Sequence, residues 1–345
     1  MDVKSRIAGF AAAVRRRRLD AAVLFGQASI RALTGVDCDN AALLVAPAGG
    51  GECDVRFFTD FRYVPMVHRV APWLKVSDIR KLALPGAKIG YEPSISHSRF
   101  MKLQKARPKA VFVDIERDVL ALRSVKTPGE IERLRAAERL NCEIWEDARR
   151  GFKAGMTELD MARTIRHMMI DRGEGEAFDT IVCVGANAAE CHHVPDGTVW
   201  NGRDPVLVDM GVKLDGYCSD MTRNIVPRRP SPLYRKVYDI VLKANLAAIA
   251  AVRPGLTCGR LDRVARRIIE EAGFGKCFGH SLGHGVGLEI HEAPSARKGD
   301  STVLKPGMLV TIEPGVYLEG NLGVRIEDLV LVTGSGCEVL SSSPK

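Results

Sequence analysis

The sequence predicts an α+β protein of two domains, in which a small α/β domain precedes a larger domain of pseudo-twofold symmetry. Two observations predict this. Strand-like and helical segments alternate over residues 1–115, and the segment 155–178 recurs without gaps at 255–278. The chain has 345 residues, of which 46% are hydrophobic, so it is long enough to bury two separate cores. We place the domain boundary between residues 120 and 121.

The first domain is predicted from five strand-like segments with helical stretches between them. The segments are AAVLFG (21–26), NAALLVAP (40–47), VRFFTD (55–60), AKIGYE (87–92) and AVFVDI (110–115). Residues 116–127 have no strong core period and predict a connection. A long helix then follows, because Thr127 is a good N-cap, Pro128 suits the first helical position and Glu130 completes a capping box.

The two copies of the repeat each predict a helix that begins after a threonine, ends at a glycine and leads into a strand. Among the matching pairs are Gly155/Gly255, Thr157/Thr257, Gly173/Gly273 and Phe178/Phe278. One pair of copies is too few for a solenoid. A domain with two related halves is therefore expected, and the space between the halves is a natural place for a site.

Composition excludes several classes of function. The net charge is +8, but the only basic run, Arg15–Arg18, ends an amphipathic stretch and carries no interleaved aromatics, so we expect no nucleic-acid partner. The nine cysteines are odd in number and form no CxxC pair, which is typical of reduced thiols in a cytosolic protein. The longest apolar run, 246–252, is too short to cross a bilayer. We expect a cytoplasmic protein with no membrane partner.

The segment VLVDMGVKLDGYCSDMTRN (206–224) predicts a hydrophobic hairpin that contains two aspartates. If the turn is centred between Leu214 and Asp215, Asp209 and Asp220 face each other. If the turn residues are Asp215 and Gly216, the two aspartates are diagonal neighbours. Either register places both carboxylates on one face, where they repel each other unless a proton or a cation lies between them.

A second hairpin near the end of the chain has the same character. MLVTIEPGVYLEG (308–320) turns into NLGVRIEDLVLV (321–332), and a turn centred on Gly320 places Glu313 opposite Glu327. Both glutamates lie within apolar strands. Two hairpins with paired acidic residues in apolar surroundings predict a cation site.

Five of the eight histidines lie in 192–291, namely His192, His193, His280, His284 and His291. His284 stands among Gly283, Gly285 and Gly287, which allow the backbone to approach a neighbour closely. Four carboxylates and one imidazole form a hard donor set. Such a set suits two divalent ions such as Mn, Co, Fe or Zn better than it suits a thiolate zinc site.

Four segments resemble a known metallopeptidase family, which contains Xaa-Pro aminopeptidase, prolidase and methionine aminopeptidase. They are DMGVKLDGYCSDMTRN, GHSLGHGVGLEIHE, TIEPGVY and GVRIED. The resemblance covers about residues 125–345 and implies the pita-bread fold. Over 1–115 it is weaker, but ALTGV (32–36) and TDFRY (59–63) resemble the creatinase/prolidase N-terminal domain.

The resemblance also implies roles for individual residues. The implied metal ligands are Asp209, Asp220, His284, Glu313 and Glu327. His192 matches the substrate-side histidine of the family, and His193 is its less certain neighbour. His291 matches the histidine that stabilises the tetrahedral intermediate, and Glu313 is expected to carry the proton. His280 and Arg325 match residues that line the pocket in the proline-specific branch, where Arg325 either orients a substrate carboxylate or pairs with Glu327.

The implied activity is metal-dependent cleavage of the Xaa–Pro bond at the N-terminus of a peptide substrate by a homodimer. We expect an aminopeptidase rather than a dipeptidase, because the chain is compact and lacks long insertions that would cap the pocket. The separate first domain argues against methionine aminopeptidase. The full ligand set argues against a metal-free creatine hydrolase and against a non-catalytic binding module on the same fold.

Overall fold

A computed structural model describes residues 3–48 and 52–345 of the chain. It divides into two compact units, Met1–Arg123 and Ser124–Lys345, and each is described by itself below.

The first unit is built on one six-stranded mixed sheet with the strand order β4-β3-β2-β1-β5-β6. Its strands are β1 (Ala21–Leu24), β2 (Ala41–Pro47), β3 (Cys53–Thr59), β4 (Lys75–Asp78), β5 (Lys88–Tyr91) and β6 (Val111–Asp114). Its helices are α1 (Val3–Arg16), α2 (Gln27–Thr34), α3 (Val64–Val70), α4 (His97–Ala106) and α5 (Glu116–Ser124).

Helices cover both faces of this sheet. Because neighbouring residues of a strand point to opposite sides, Leu43 and Leu44 of β2 lie in different cores. Leu43 packs in a core with Phe10 and Ile30 from α1 and α2, whereas Leu44 packs in a second core with Leu103 from α4. The α/β character predicted for this part of the chain is thus confirmed.

Two elements of the first unit were not predicted. The segment KVSD forms the short edge strand β4, which is polar and half-exposed and therefore has no hydrophobic signature. The segment predicted as a connection contains α5, in which only Val119 and a few neighbours reach the core.

The second unit consists of two halves of similar construction. The first half contains α6 (Pro128–Gly151), α7 (Glu158–Arg172), β7 (Ile181–Val184), β8 (Val206–Met210), β9 (Lys213–Leu214), β10 (Tyr217–Cys218) and β11 (Met221–Ile225). The second half contains α8 (Pro232–Ala251), α9 (Cys258–Glu271), β12 (Gly283–Gly285), β13 (Glu292–Ala296), β14 (Leu309–Ile312), β15 (Gly315–Leu318), β16 (Leu322–Arg325), β17 (Asp328–Val332) and β18 (Cys337–Val339).

The repeat predicted from the sequence is present in these halves. Thr157 precedes α7 and forms a bridge with Val199, and Thr257 precedes α9 and forms the equivalent bridge with Val303. The copies differ in one detail. The Thr157 side chain accepts a hydrogen bond from the Asp160 amide in a complete capping box, whereas the Thr257 side chain makes no capping hydrogen bond.

The asparagines of the two long helices show the same relationship. The Asn141 amide on α6 donates to the carbonyl of Met210 at the end of β8, at 3.0 Å. The Asn245 amide on α8 donates to the carbonyl of Ile312 at the end of β14, at 2.9 Å. Each helix is thereby fixed to the strand of its own half that leads into an acidic hairpin.

Both hairpin registers are visible in the strand pairing. In the first hairpin Leu214 pairs with Tyr217, so the turn residues are Asp215 and Gly216, both with positive φ. This selects the diagonal arrangement of the two aspartates over the facing one. In the second hairpin Gly315 pairs with Arg325 and Ile312 with Asp328, so the predicted register of Glu313 and Glu327 is confirmed.

All nine cysteines are free thiols. Within residues 3–48 and 52–345, none of the helices has the length and apolar character needed to span a membrane.

Candidate active site

The nine residues predicted for the site line a single cavity of ≈ 960 Å³ in the second unit. They are His192, Asp209, Asp220, His280, His284, His291, Glu313, Arg325 and Glu327. Asp209, His284 and Arg325 lie in strands, and the other six lie in loops or between strands. Both halves of the unit supply residues, so the repeat places the cavity between its two copies.

The two hairpins meet directly at the bottom of the cavity. Asp209 lies opposite Thr222 in the β8–β11 ladder. The Glu327 amide donates to the Thr222 carbonyl at 3.2 Å, and the Thr222 hydroxyl donates to Glu327 Oε2 at 2.8 Å. Ligand atoms of Asp220 and Glu327 lie within 4.8 Å of each other, and both residues are almost completely buried, so their carboxylates meet in a region with little water.

His284 is held beside these carboxylates by its backbone. Its amide donates to the Thr311 hydroxyl at 3.0 Å, and a Cβ at the preceding Gly283 would lie 1.9 Å from the Thr311 carbonyl oxygen. Only glycine permits this approach of β12 to β14. The local sequence therefore determines how deeply His284 enters the site.

The His284 ring presents a lone pair to two carboxylates. Its Nδ1 lies 3.1 Å from the Gly285 carbonyl and must donate to it, and burial lowers the pKa of His284 to about 4. The other ring nitrogen, Nε2, therefore carries no proton at neutral pH. It lies 3.5 Å from Asp220 Oδ2 and 3.4 Å from Glu313 Oε1. Electron-rich atoms at this distance repel one another unless a proton or a cation lies between them.

The carboxylates of the site have strongly perturbed pKa values. Burial raises the pKa of Asp220 and of Glu327 well above the usual range, and the charges of neighbouring carboxylates raise both further. Burial likewise raises the pKa of Glu313 to about 8, although the Arg325 guanidinium opposes this shift. The ionised forms of these carboxyl groups are therefore disfavoured unless a positive charge is close to them.

One atom of the site lacks the partner that burial normally requires. Asp209 Oδ1 is buried and has no hydrogen-bond partner within the described part of the chain, whereas its Oδ2 accepts from Arg325. Ligand atoms of Asp220, His284 and Glu327 also lie within 4.8 Å of one another. Carboxylate oxygens and one imidazole nitrogen are donors suited to divalent ions, so these residues fit such a group.

A chain of hydrogen bonds runs along one wall of the cavity. Arg325 Nη1 donates to the Tyr317 hydroxyl at 2.9 Å, and that hydroxyl donates to His280 Nε2, also at 2.9 Å. His280 Nδ1 then donates to the Ser281 carbonyl. Burial lowers the pKa of His280 to about 4, which agrees with its role as an acceptor from Tyr317.

Of the two alternatives left open for Arg325, the ion pair with Glu327 is not the one that the structure contains. Arg325 Nη2 lies 2.6 Å from Asp209 Oδ2, and its Nε donates to the Thr222 hydroxyl, so the guanidinium pairs with the first hairpin and not with Glu327. The strand pairing explains this. Arg325 lies at the end of β16, where the second hairpin crosses β8 and β11.

The three remaining histidines occupy different positions. The His192 side chain is exposed on the wall of the cavity, whereas His193 Nε2 lies 2.7 Å from the buried Glu158 carboxylate. Glu158 also accepts from the amides of Val184 and Asp196, so it fixes the loop that carries His192. The His291 ring packs edge-on against His284, with the ring centroids 4.4 Å apart.

Sequence reasoning missed several residues that support the site. Tyr317 links Arg325 to His280, and its position two residues beyond the PG of TIEPGVY carries no signal of that role. Glu138 is fully buried and accepts a hydrogen bond from the Asp220 amide at 3.1 Å. A glutamate at an inward-facing position of a long helix would have been the available clue.

Comparison with known proteins agrees with this geometry. The sequence profile of metallopeptidase family M24 matches residues 132–334, and the profile of the creatinase/prolidase N-terminal domain matches residues 6–125. The chain belongs to metallopeptidase family M24. It is 36% identical over 315 residues to the Xaa-Pro dipeptidase of Pyrococcus furiosus, a match that covers 87% of this chain and 89% of that protein.

Solved structures of M24 members have the same architecture. An Xaa-Pro dipeptidase from Bacillus anthracis is similar with a TM-score of 0.92 and 32% identity, over 100% of this chain and 99% of that one. An X-Pro aminopeptidase from Thermotoga maritima is similar with a TM-score of 0.85 and 32% identity, over 96% and 98%. The predicted combination of a creatinase-type N-terminal domain with a pita-bread catalytic domain is confirmed, and this M24 protein is a hydrolase of the metallopeptidase class.

Proposed function

We propose that this M24 peptidase hydrolyses the bond between an N-terminal residue and proline, and that its preferred substrates are Xaa-Pro dipeptides. The observation that carries the chemistry is the cluster of Asp220, His284 and Glu327, whose ligand atoms lie within 4.8 Å of one another. Glu313 Oε1 lies 3.4 Å from His284 Nε2, and Asp209, whose buried Oδ1 has no partner among the described residues, lines the same cavity. The choice of proline follows the two relatives above whose names specify an Xaa-Pro dipeptidase.

The sequence-based preference for an aminopeptidase does not rest on a feature that separates the two activities. A compact chain without long insertions was the reason for it. The prolidase of Pyrococcus horikoshii is similar to this chain over 99% of both chains with a TM-score of 0.93, so a dipeptidase is equally compact. Aminopeptidase activity is kept as the second candidate because the Thermotoga enzyme is also covered almost completely.

We assign the metal-ligand role to five residues, Asp209, Asp220, His284, Glu313 and Glu327. Two divalent ions held there supply Lewis acidity and lower the pKa of water. Mn, Co, Fe and Zn all accept this mixture of carboxylates and one imidazole. Glu138 and Thr222 orient the donors, since Glu138 accepts from the Asp220 amide and Thr222 donates to Glu327.

The remaining residues of the cavity bind the substrate and move the proton. Glu313 is proposed to take a proton from the water that attacks the carbonyl carbon and to deliver it to the proline nitrogen as the C–N bond breaks, since that nitrogen has no hydrogen of its own. His291 is proposed to donate to the carbonyl oxygen as negative charge develops on it. His192 is proposed to contact the substrate from the opposite wall. His280 and Arg325 keep the proposed binding role, although most of their polar atoms are already engaged.

The test is a comparison of substrates under one set of metal conditions. The purified protein, reconstituted with Mn²⁺ or Co²⁺, is given Ala-Pro, Ala-Pro-Ala and Met-Ala-Ala. Cleavage of Ala-Pro in clear preference to Ala-Pro-Ala supports the dipeptidase. The reverse preference supports the aminopeptidase, and a preference for Met-Ala-Ala rejects the proline assignment.

A further inference from the structure

A buried ion pair lies directly behind the cavity and belongs to none of the roles assigned so far. Lys126 Nζ lies 2.6 Å from Glu292 Oε2, and only 2% of each side chain is exposed. Ions taken out of water are costly unless they are closely paired and hydrogen-bonded. Glu292 lines the cavity and immediately follows His291 in the chain, so the ion pair is adjacent in sequence to a residue of the site.

The Glu292 carboxylate closes the loop that connects β12 to β13. Its Oε1 accepts from the Glu289 amide at 3.1 Å, and the Gly287 amide donates to the Glu289 carbonyl at 3.0 Å. A Cβ at Gly287 would lie 2.5 Å from Glu292 Oε2, so the carboxylate rests against the loop backbone. The backbone of Glu292 pairs with Gly285, the residue after His284. The backbone of Glu292 thus closes the two ends of the loop, and its side chain holds the middle of the loop at Glu289.

The position of His291 depends on this loop. Its ring packs against the His284 ring, but within the described residues no hydrogen bond holds either of its nitrogens. The side chain is also exposed to the cavity. Apart from the contact with His284, the position of the ring is therefore set by the backbone of His291. Glu292 holds that part of the backbone, and Lys126 holds the Glu292 side chain.

We propose that Lys126 is a positioning residue for His291. It acts through Glu292, which it holds in the geometry that closes the loop. This inference rests on the proposed function only in assuming that His291 contacts the reacting carbonyl group. The position of the His291 ring is measurable without that assumption.

The kinetic test is a double-mutant cycle with Ala-Pro at saturating metal. Lys126→Met is expected to lower kcat by about tenfold with little change in KM, because a donor acting in the transition state is displaced. In the His291→Ala background the same change is expected to lower kcat no further. Losses that multiply, or an unchanged kcat in Lys126→Met, overturn the proposal. An unchanged kcat in His291→Ala overturns the role of His291 instead.

The structural test uses the metal-free protein labelled with ¹⁵N-histidine. Lys126→Met is expected to shift the ring resonances of His291 and to leave those of His167, which is exposed on α7, unchanged. Lys305→Met, at an exposed position of the same unit, is the matched control and is expected to move neither. An unmoved His291 resonance in Lys126→Met contradicts the proposal.

A second variant covers the case in which Lys126→Met does not fold. Lys126→Met/Glu292→Gln removes both charges together, so neither member of this ion pair is left without the other. This protein is expected to fold and to show the same two effects. Its kcat is lower than that of the wild type and is not lowered further by His291→Ala, and the ring resonances of His291 are shifted. A folded double variant with wild-type values for both measurements rejects the proposal.

Discussion

Arg325 and Asp209 form an ion pair that joins the two halves of the catalytic unit, with Nη2 2.6 Å from Oδ2. The same guanidinium donates to Thr222 and Tyr317. Arg325 engages only one oxygen of Asp209, and the other has no hydrogen-bond partner among the described residues. Loss of Arg325 should therefore affect the stability of the fold, and loss of a proposed ligand should affect the binding of metal ions.

We expect Arg325→Met to destabilise the metal-free protein by about 3–5 kcal/mol, because removing one member of a buried pair leaves the other uncompensated. Arg325→Lys is expected to recover little of this, since an ammonium group cannot reproduce the four directed hydrogen bonds, to Asp209, Thr222, Tyr317 and the Cys191 carbonyl. Urea unfolding of the metal-free protein measures both. Arg163→Met is the control, because Arg163 also lines the cavity but is exposed and, in the described residues, forms no ion pair.

His284→Ala is expected to reduce the bound metal below that of the wild type and to lower kcat by about 100-fold or more. The side chain is at the cavity wall, so its loss vacates a donor without removing core packing. Metal analysis of the dialysed protein and turnover of Ala-Pro measure the two effects. His167→Ala, on an exposed face of α7, is expected to change neither. Full metal content and near-normal turnover in His284→Ala would show that the ligand assignment is wrong.

The stability of the metal-free protein is expected to fall as the pH rises. The pKa of Glu313 is raised from 4.5 to about 8, chiefly by burial. A group whose folded pKa is raised contributes fully below its unfolded pKa, and that contribution is lost as the pH rises to the folded value. Thermal unfolding between about pH 5 and 8.5 should therefore show a decreasing Tm, and saturating metal should reduce the slope. Glu313→Gln is the control, and an equal slope in that variant argues against this origin.

The repeat supplies a matched pair of substitutions. Thr157→Ala removes a capping hydrogen bond and is expected to cost about 1 kcal/mol, whereas Thr257→Ala removes none and is expected to cost far less. Urea unfolding of the two variants in the same buffer compares their free energies of unfolding. Equal losses would mean that the threonines act through something other than the cap.

The predicted homodimer is tested by sedimentation of the purified protein at micromolar concentration. We expect a mass of about twice the 37.7 kDa of the chain. A monomer mass across the concentration range in which the enzyme is active would reject the prediction.

The sequence predicted the acidic hairpins because their geometry is local. A short turn fixes which positions face each other, so the pairing of Glu313 with Glu327 follows from counting residues. For Asp209 and Asp220 two turns were compatible with the sequence. The positive φ angles of Asp215 and Gly216 decide between them.

The supporting contacts could not be predicted in this way. Lys126 and Glu292 are 166 positions apart, and Arg223, which donates to Asp328, finds its partner 105 positions away. Such pairs form where separate elements pack, and no periodicity or turn chemistry within either segment indicates them. The edge strand β4 was missed for a different reason, since its polar residues bury little surface.

The division of the acidic residues between the two hairpins also bears on how the protein forms. Asp209 and Asp220 are synthesised with the first half of the unit, and His284, Glu313 and Glu327 emerge only with the second. Until the second hairpin has docked on Thr222, the first presents only two of the five proposed donors. With the ligand assignment proposed above, tight binding of ions requires the second hairpin, and a nascent or truncated chain that stops before residue 327 is expected to compete poorly for metal.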